Sequence, residues 1–195
     1  MKLTYVLAVA GLCASTAAFA QVGSRPQIYS DVTPPEAGTA EIGIALNAKL
    51  DKPSNQSMRV SFLPYLNRNV QVGGGLTYTH QSGYDVGAGE STVYVDSSTM
   101  YTVDLLANYN FVSASDAVTS RTVPYAGVGF SYIHAKSGDV SAHATGWGAQ
   151  GGVKHFITND VSVFGELNYR RYDKTIDENK DEWKFFVGLN TYLRK

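Results

Sequence analysis

The sequence has few of the features that stabilise or anchor most small chains. Its single cysteine, Cys13, excludes a disulfide within the chain. Among its 195 residues only six are prolines, and three of them, Pro26, Pro34 and Pro35, precede residue 40. No run of about 18 apolar residues follows the first twenty, so that part of the chain holds no candidate transmembrane helix. The length fits one domain.

Charge is also scarce. Charged residues make up 17% of the chain, and the formal net charge is -1. Without a basic or acidic excess, the composition predicts no nucleic-acid partner. A mean hydropathy of -0.15 on its own suggests a soluble protein. That inference fails if apolar residues recur at every second position, because a membrane-barrel strand has a polar face as well as an apolar one.

The first twenty residues have the order of a secretory signal peptide. Met1-Lys2 is a short positive start, residues 3–12 are apolar, and Ala18-Phe19-Ala20 fits the small-x-small cleavage pattern. The alternatives are an uncleaved anchor and a lipoprotein attached through Cys13, but the apolar core is short and Leu12 is not a small residue. We therefore expect a cleaved signal peptide over 1–20, an irregular periplasmic segment over 21–38, and a barrel domain over 39–195.

Apolar and polar residues alternate through the rest of the chain. In the first such segment Ile42, Ile44 and Leu46 share one face, and Glu41 and Asn47 lie on the other. Period-2 alternation predicts two-faced strands, and each segment is near the 9–11 residues that a tilted strand needs to cross a bilayer. We predict an all-β, eight-stranded, antiparallel up-and-down transmembrane β-barrel. The segments are about 40–50, 57–66, 70–80, 99–111, 122–133, 145–156, 161–172 and 183–193.

Aromatic residues cluster on the apolar face, near one end of six of these strands. Rings at that position straddle hydrocarbon and headgroups, so the pattern predicts an aromatic girdle and favours a membrane barrel over a soluble periplasmic one. The predicted girdle consists of Tyr78, Tyr101, Tyr132, Trp147, Tyr169 and Trp183.

Charged residues within the strands fall on the less apolar face. Eight strands enclose an interior that side chains fill, and charges buried there must pair. We predict a salt-bridged polar interior that holds the barrel together; a gate or proton path is the alternative. Its expected members are Lys49, Arg59, Asp104, Glu166, Arg170 and Lys184.

The connections alternate between tight and long. Residues 67–69 and 157–160 form tight connections, whereas 81–98, 134–144 and 173–182 are longer and polar. Outer-membrane barrels have short periplasmic turns and long outer loops, so the longer stretches are expected outside. Basic residues near that rim could pair with lipopolysaccharide phosphates, although solvated loop charge is the simpler alternative. These residues are Lys136, Arg171 and Lys174.

Several segments carry a family resemblance. They are VQVGGGLTY over Val70–Tyr78, PYAGVGF over Pro124–Phe130, Gly151–Phe156 with Asp160–Val163, and FVGL over Phe186–Leu189. In these segments the chain resembles the small eight-stranded outer-membrane barrels of the porin-like and OmpA-like group. Such barrels usually end in an aromatic residue that the assembly machinery reads, and this chain departs by ending in Arg194-Lys195.

The resemblance implies a monomer in the cell outer membrane, in contact with lipid, lipopolysaccharide and the assembly machinery. We expect a non-enzymatic protein with an envelope-structural or surface-binding role through its outer loops. The first alternative is a narrow channel for small, apolar solutes. The second is a lipopolysaccharide-modifying enzyme, for which His80 and Ser82 have a nucleophile–base spacing with Glu90 nearby. No cofactor or metal site is predicted: His134 and His143, at either end of one outer loop, could bind a metal, but polar loop residues are the simpler interpretation.

Overall fold

Ten strands form the part of the chain that the structure describes. The computed structural model describes residues 32–33, 35–49, 55–86, 93–95, 97–112, 121–173 and 181–194. The predicted signal peptide and most of the predicted segment 21–38 lie outside these residues. The strands are β1 Ala40–Lys49, β2 Asn55–Pro64, β3 Val70–Gln81, β4 Tyr84–Val86, β5 Val93–Val95, β6 Ser98–Asn110, β7 Thr122–Ser137, β8 Val140–Phe156, β9 Val161–Tyr172 and β10 Asp181–Leu193.

Eight of the strands close into one antiparallel barrel. Their order around the wall is β1-β10-β9-β8-β7-β6-β3-β2, and β4 and β5 form a separate two-stranded sheet between β3 and β6. The seam joins the first strand to the last, with Ala40 opposite Leu193. Closure removes the unpaired edges at which an open sheet associates with other chains. The predicted fold class is confirmed.

The barrel turns its apolar face outward. In β6, Leu105 is 61% exposed, whereas Asp104 beside it is buried. The same alternation runs through β2, where Arg59 is buried and Val60 exposed. A soluble barrel has its apolar face inside, so this arrangement is that of a wall surrounded by lipid. No helix among the described residues is long and apolar enough to cross a membrane.

The connection predicted over 134–144 is wrong, because these residues belong to strands. β7 and β8 pair as far as Ser137 and Val140, and Gly138-Asp139 forms a two-residue turn. Gly138 has a φ of 57°, the left-handed conformation that two-residue hairpins require. The alternation ends near residue 133 because neither face of the outer hairpin meets an apolar environment. Backbone pairing between β7 and β8 continues beyond residue 133, although the alternation of apolar and polar residues has ended.

The two ends of the barrel differ. The turn end holds the connections 65–69, 111–121 and 157–160, and the loop end holds 50–54, 82–97, 138–139 and 173–180. A segment from before β1 packs onto the turn end: Val32 is buried there, and the Thr33 backbone N–H donates to Asn159 Oδ1 at 3.1 Å. The apolar cluster that fills this end consists of Val32, Tyr65, Val123, Phe156 and Tyr192.

Candidate functional site

An ion pair occupies the middle of the barrel interior. Arg59 Nη1 lies 2.6 Å from Glu166 Oε1, and both side chains are buried. The Tyr125 hydroxyl donates to the other carboxylate oxygen at 2.7 Å, and the Arg59 guanidinium lies 4.4 Å from the centre of the Phe186 ring. Both charges therefore have polar or aromatic partners in place of water.

A second buried pair lies nearer the turn end. Lys154 Nζ donates to Glu41 Oε2 at 2.7 Å and to Gln71 Oε1 at 2.9 Å. The Gln71 amide donates in turn to Glu41 at 3.0 Å, and the ammonium lies 4.8 Å from the Tyr125 ring centre. Each of these three groups thus contacts the other two, and Tyr65 and Asn110 donate to Glu41 and Gln71 as well.

A third pair lies towards the loop end, where a hydroxyl links the charges. Arg170 Nη2 is 3.7 Å from Asp104 Oδ1. The Ser131 hydroxyl donates to that carboxylate and accepts from Arg170 Nε at 3.0 Å. A fourth pair, Lys184 with Glu182 at 2.9 Å, lies at the loop end and is partly exposed.

Two cavities lie between these pairs, and both are small. One cavity of about 10 Å³ borders Arg59, Glu166 and Lys154, and another of about 20 Å³ borders Arg59 and Asp104. A single water needs about 10–15 Å³ of such a cavity, so each of the two has room for about one water. The described interior is a packed polar core.

The structure brings together most of the predicted interior residues. Arg59, Asp104, Glu166, Arg170 and Lys184 all face inward, whereas the Lys49 side chain lies outside the described part of the chain.

The predicted set of interior residues omitted two buried charges. Glu41 and Lys154 are members of the interior network, and strand parity had already placed both on the polar face. The alternation alone could therefore have predicted that both side chains face inward. It could not predict that they pair with each other, because their strands are far apart in sequence.

The six predicted girdle residues all lie on the outer wall near the loop end. Trp183 and Trp147 are the most exposed, at 65% and 62%, and Tyr169 is half-buried because its ring packs 4.9 Å from that of Trp183. Tyr78 and Tyr101 form a similar pair across β3 and β6 at 5.4 Å. Adjacent strands thus carry paired rings at one height.

Two of the three predicted rim cations are described. Lys136 is exposed on β7, and Arg171 is exposed on β9 with its Nε 3.9 Å from Asp181. Lys174 lies outside the described residues. Arg171 borders a depression of about 280 Å³ in the outer wall. The other residues that line it are Phe130, Thr145, Gly146, Trp147, Tyr172 and Asp173.

The histidines that the sequence singled out lie on strands. His80 is the penultimate residue of β3, which ends at Gln81, so Ser82 lies beyond the strand. His134 and His143 are direct partners across β7 and β8, with their Nδ1 atoms 3.1 Å apart. Their interpretation as residues of one outer loop is wrong. No group of three or more metal-ligating side chains occurs within the described ranges.

Comparisons with known proteins agree with this architecture. A family model described as an outer membrane protein beta-barrel domain matches residues 4–190. Neisserial surface protein A is 20% identical, with a TM-score of 0.53 over 78% of this chain and 94% of its own. OprG from Pseudomonas aeruginosa is 11% identical, with a TM-score of 0.54 over 85% of this chain and 100% of its own.

A third solved structure shares the fold. Ail from Yersinia pestis, in complex with the heparin analogue sucrose octasulfate, is 15% identical, with a TM-score of 0.50 over 80% of this chain and 98% of its own. At such identities the three likenesses show the fold alone. A comparison with curated proteins gives no match.

Proposed function

Since the chain belongs to the outer membrane protein beta-barrel domain family and lies in the cell outer membrane, we propose that its barrel is a closed anchor whose loop end binds a surface partner. The packed interior carries this proposal. Three buried ion pairs and the rings against them leave cavities of about 10 and 20 Å³, too small for a solute to pass. Binding then belongs to the loops that the rigid wall presents.

The channel alternative predicts ion flow, which a planar bilayer measures directly. We expect the purified protein to give no conductance steps above those of a detergent blank, because moving Arg59 or Glu166 aside would expose an unpaired charge. An open porin inserted under the same conditions provides the positive control. Reproducible unitary steps from the wild-type barrel would rule out the closed anchor.

The loop-end connections are acidic, and their charge supports a partner of the opposite sign. They contain eight carboxylates against three lysines. A surface of this sign attracts cationic groups and repels polyanions at low ionic strength. We therefore expect a basic partner surface. The carboxylates are Asp51, Asp85, Glu90, Asp96, Asp139, Asp173, Asp177 and Glu178, and the lysines are Lys52, Lys174 and Lys180.

The charge argument is tested with two model polyelectrolytes, poly-lysine and heparin, and the barrel in nanodiscs. Wild-type protein should bind poly-lysine in a salt-dependent way and leave heparin unbound. The variant Asp85→Asn/Glu90→Gln should bind poly-lysine more weakly, whereas Glu36→Gln/Asp116→Asn at the turn end should match wild type. Preferential binding of heparin would contradict a basic partner.

Basic residues near the same rim support a lipid contact as part of the same role. Lys136, Arg171 and Lys174 are proposed to pair with lipopolysaccharide phosphates, and the depression beside Arg171 adds the Trp147 and Phe130 rings that suit an acyl chain. Lipopolysaccharide should raise the melting temperature of the wild type more than that of Arg171→Gln. Arg68→Gln at the turn end serves as the control, and equal shifts in all three proteins would exclude this contact.

The enzymatic alternative rests on His80 and Ser82. Because β3 ends between them, no strand backbone holds the two side chains on one face, and this supports a non-enzymatic role. Cells that produce the protein should contain lipopolysaccharide with unchanged acylation, as read by mass spectrometry. Loss of acyl chains that depends on His80 would establish a hydrolase instead.

A further inference from the structure

Two imidazoles face each other on the outer wall of the β7–β8 hairpin. His134 and His143 are paired in register, their ring centres are 4.7 Å apart, and their Nδ1 atoms are 3.1 Å apart. The Tyr132 hydroxyl lies 2.9 Å from His143 Nδ1, and that ring stacks on the histidine at 6.0 Å. His143 Nδ1 thus has two polar neighbours, and its contact with Tyr132 fixes the orientation of the His143 imidazole.

The spacing of the two nitrogens fits a shared metal ion. A metal about 2.0–2.1 Å from each Nδ1 atom would join them at an angle of roughly 98° across the observed 3.1 Å. That angle lies between the right angle of a tetragonal site and the angle of a tetrahedral one. Imidazole suits Cu²⁺, Ni²⁺ and Zn²⁺, and nitrogen ligands at near right angles favour Cu²⁺ or Ni²⁺.

The location of the pair makes it accessible to ions. His134 and His143 lie two residue pairs beyond Tyr132 and Thr145, on the loop side of the girdle ring Trp147. His143 is exposed and His134 is half-buried. At this height the wall leaves the hydrocarbon and meets water and headgroups, so hydrated ions reach both rings.

We propose that His134 and His143 form a two-histidine site for a divalent transition-metal ion, Cu²⁺ in the first place, on the outer face of the barrel. The two Nδ1 atoms are its protein ligands, and water fills the remaining positions. The Tyr132 hydroxyl leaves His143 Nδ1 when the ion binds, because that nitrogen has a single lone pair. The β-ladder fixes the two Cα atoms, so the imidazoles are already positioned before the ion arrives. This site is independent of the acidic loops and of the packed interior.

Titration with Cu²⁺ alone tests the site on the untagged, folded protein in detergent. Calorimetry should give one tight ion per chain, and electron paramagnetic resonance should show coupling to two imidazole nitrogens. His134→Gln and His143→Gln should each bind more weakly by at least roughly 10- to 100-fold, since loss of a partner that only orients a ligand already costs that much. His80→Gln and His155→Gln are the matched controls, because neither residue belongs to the pair.

Folding is checked separately by the heat-dependent shift of each variant on gels. If folded His143→Gln binds Cu²⁺ as tightly as wild type, or the spectrum lacks nitrogen coupling, the site does not exist. If His80→Gln or His155→Gln removes the binding instead, the ion lies elsewhere and the proposal is equally overturned. Two-nitrogen coupling that disappears in both pair variants and persists in both controls supports it.

Discussion

Glu166 carries a buried charge that has partners on two sides. It accepts from Arg59 and from the Tyr125 hydroxyl, and it is buried between them. In Glu166→Gln the guanidinium keeps its charge but loses its counter-ion. Breaking a buried pair in this way costs about 3–5 kcal/mol, so we expect the free energy of unfolding in urea to fall by that amount.

An exposed carboxylate provides the matched control for this change. Asp181 is half-exposed and 3.9 Å from Arg171, so Asp181→Asn should change the free energy of unfolding by less than about 1 kcal/mol. Equal effects of the two substitutions would mean that the interior pairs are solvated and that the packed-core description is wrong.

Gly148 shows how closely the wall strands approach one another. A Cβ atom at this position would overlap the Tyr169 carbonyl oxygen on β9 and lie 2.9 Å from Arg170 Cδ. The ladder fixes that carbonyl, so the strands would have to separate. We expect Gly148→Ala to lower the yield of folded, heat-shifting protein sharply.

Gly151, three residues along the same strand, allows a direct comparison. The nearest atom to a Cβ there is the Tyr125 carbonyl oxygen at 3.7 Å, an ordinary contact. Gly151→Ala should therefore fold like wild type. If both alanine variants fold equally well, β8 and β9 do not approach as closely as the structure indicates.

At the scale of elements, alternation identified all eight barrel strands because each separates lipid from a polar interior. The limits of β9 were correct to the residue, at 161 and 172. The alternation did not identify the outer parts of β7 and β8, where both faces of a strand meet water, or the short strands β4 and β5. It also could not show that His134 and His143 face each other, because register depends on a turn that polarity does not mark.

The partners of the interior charges were beyond sequence for a different reason. Parity places Arg59 and Glu166 inside, but their contact joins β2 to β9 across the barrel. Which cation meets which carboxylate depends on strand tilt and closure. The sequence pattern of a single strand determines neither the tilt nor the closure.

Arg194 connects the end of the last strand to the segment that precedes the first. Its guanidinium donates to the Thr33 carbonyl at 2.8 Å, the Asn159 carbonyl at 2.6 Å and Asp160 Oδ1 at 3.1 Å. Arg194 thus joins the end of β10 to the segment before β1 and to the connection between β8 and β9. We expect Arg194→Gln to speed amide hydrogen exchange at Thr33 and to leave exchange in β7 unchanged. Equal exchange at Thr33 in the variant and the wild type would show that Arg194 does not hold this segment.

At the scale of the whole molecule, closure is the property to test. Ile44 and Leu189 are partners across the β1–β10 seam. Antiparallel partners lie within disulfide range, and the chain has no cysteine after Cys13 to interfere. Oxidised Ile44→Cys/Leu189→Cys should form an internal crosslink that prevents the full heat shift on gels. Ile44→Cys with Thr191→Cys, which is out of register, is the control; crosslinking of the control alone would refute the register.

The seam also sets the timing of assembly. Because Ala40 is opposite Leu193, the first strand of the wall has no final neighbour until the last strand has been synthesised and delivered. The large entropy of closing so long a loop is offset only when the whole ladder forms, so folding is slow and cooperative. Until that moment the outward apolar face has no lipid to cover it. The barrel can therefore close only once both ends of the chain are present at the membrane.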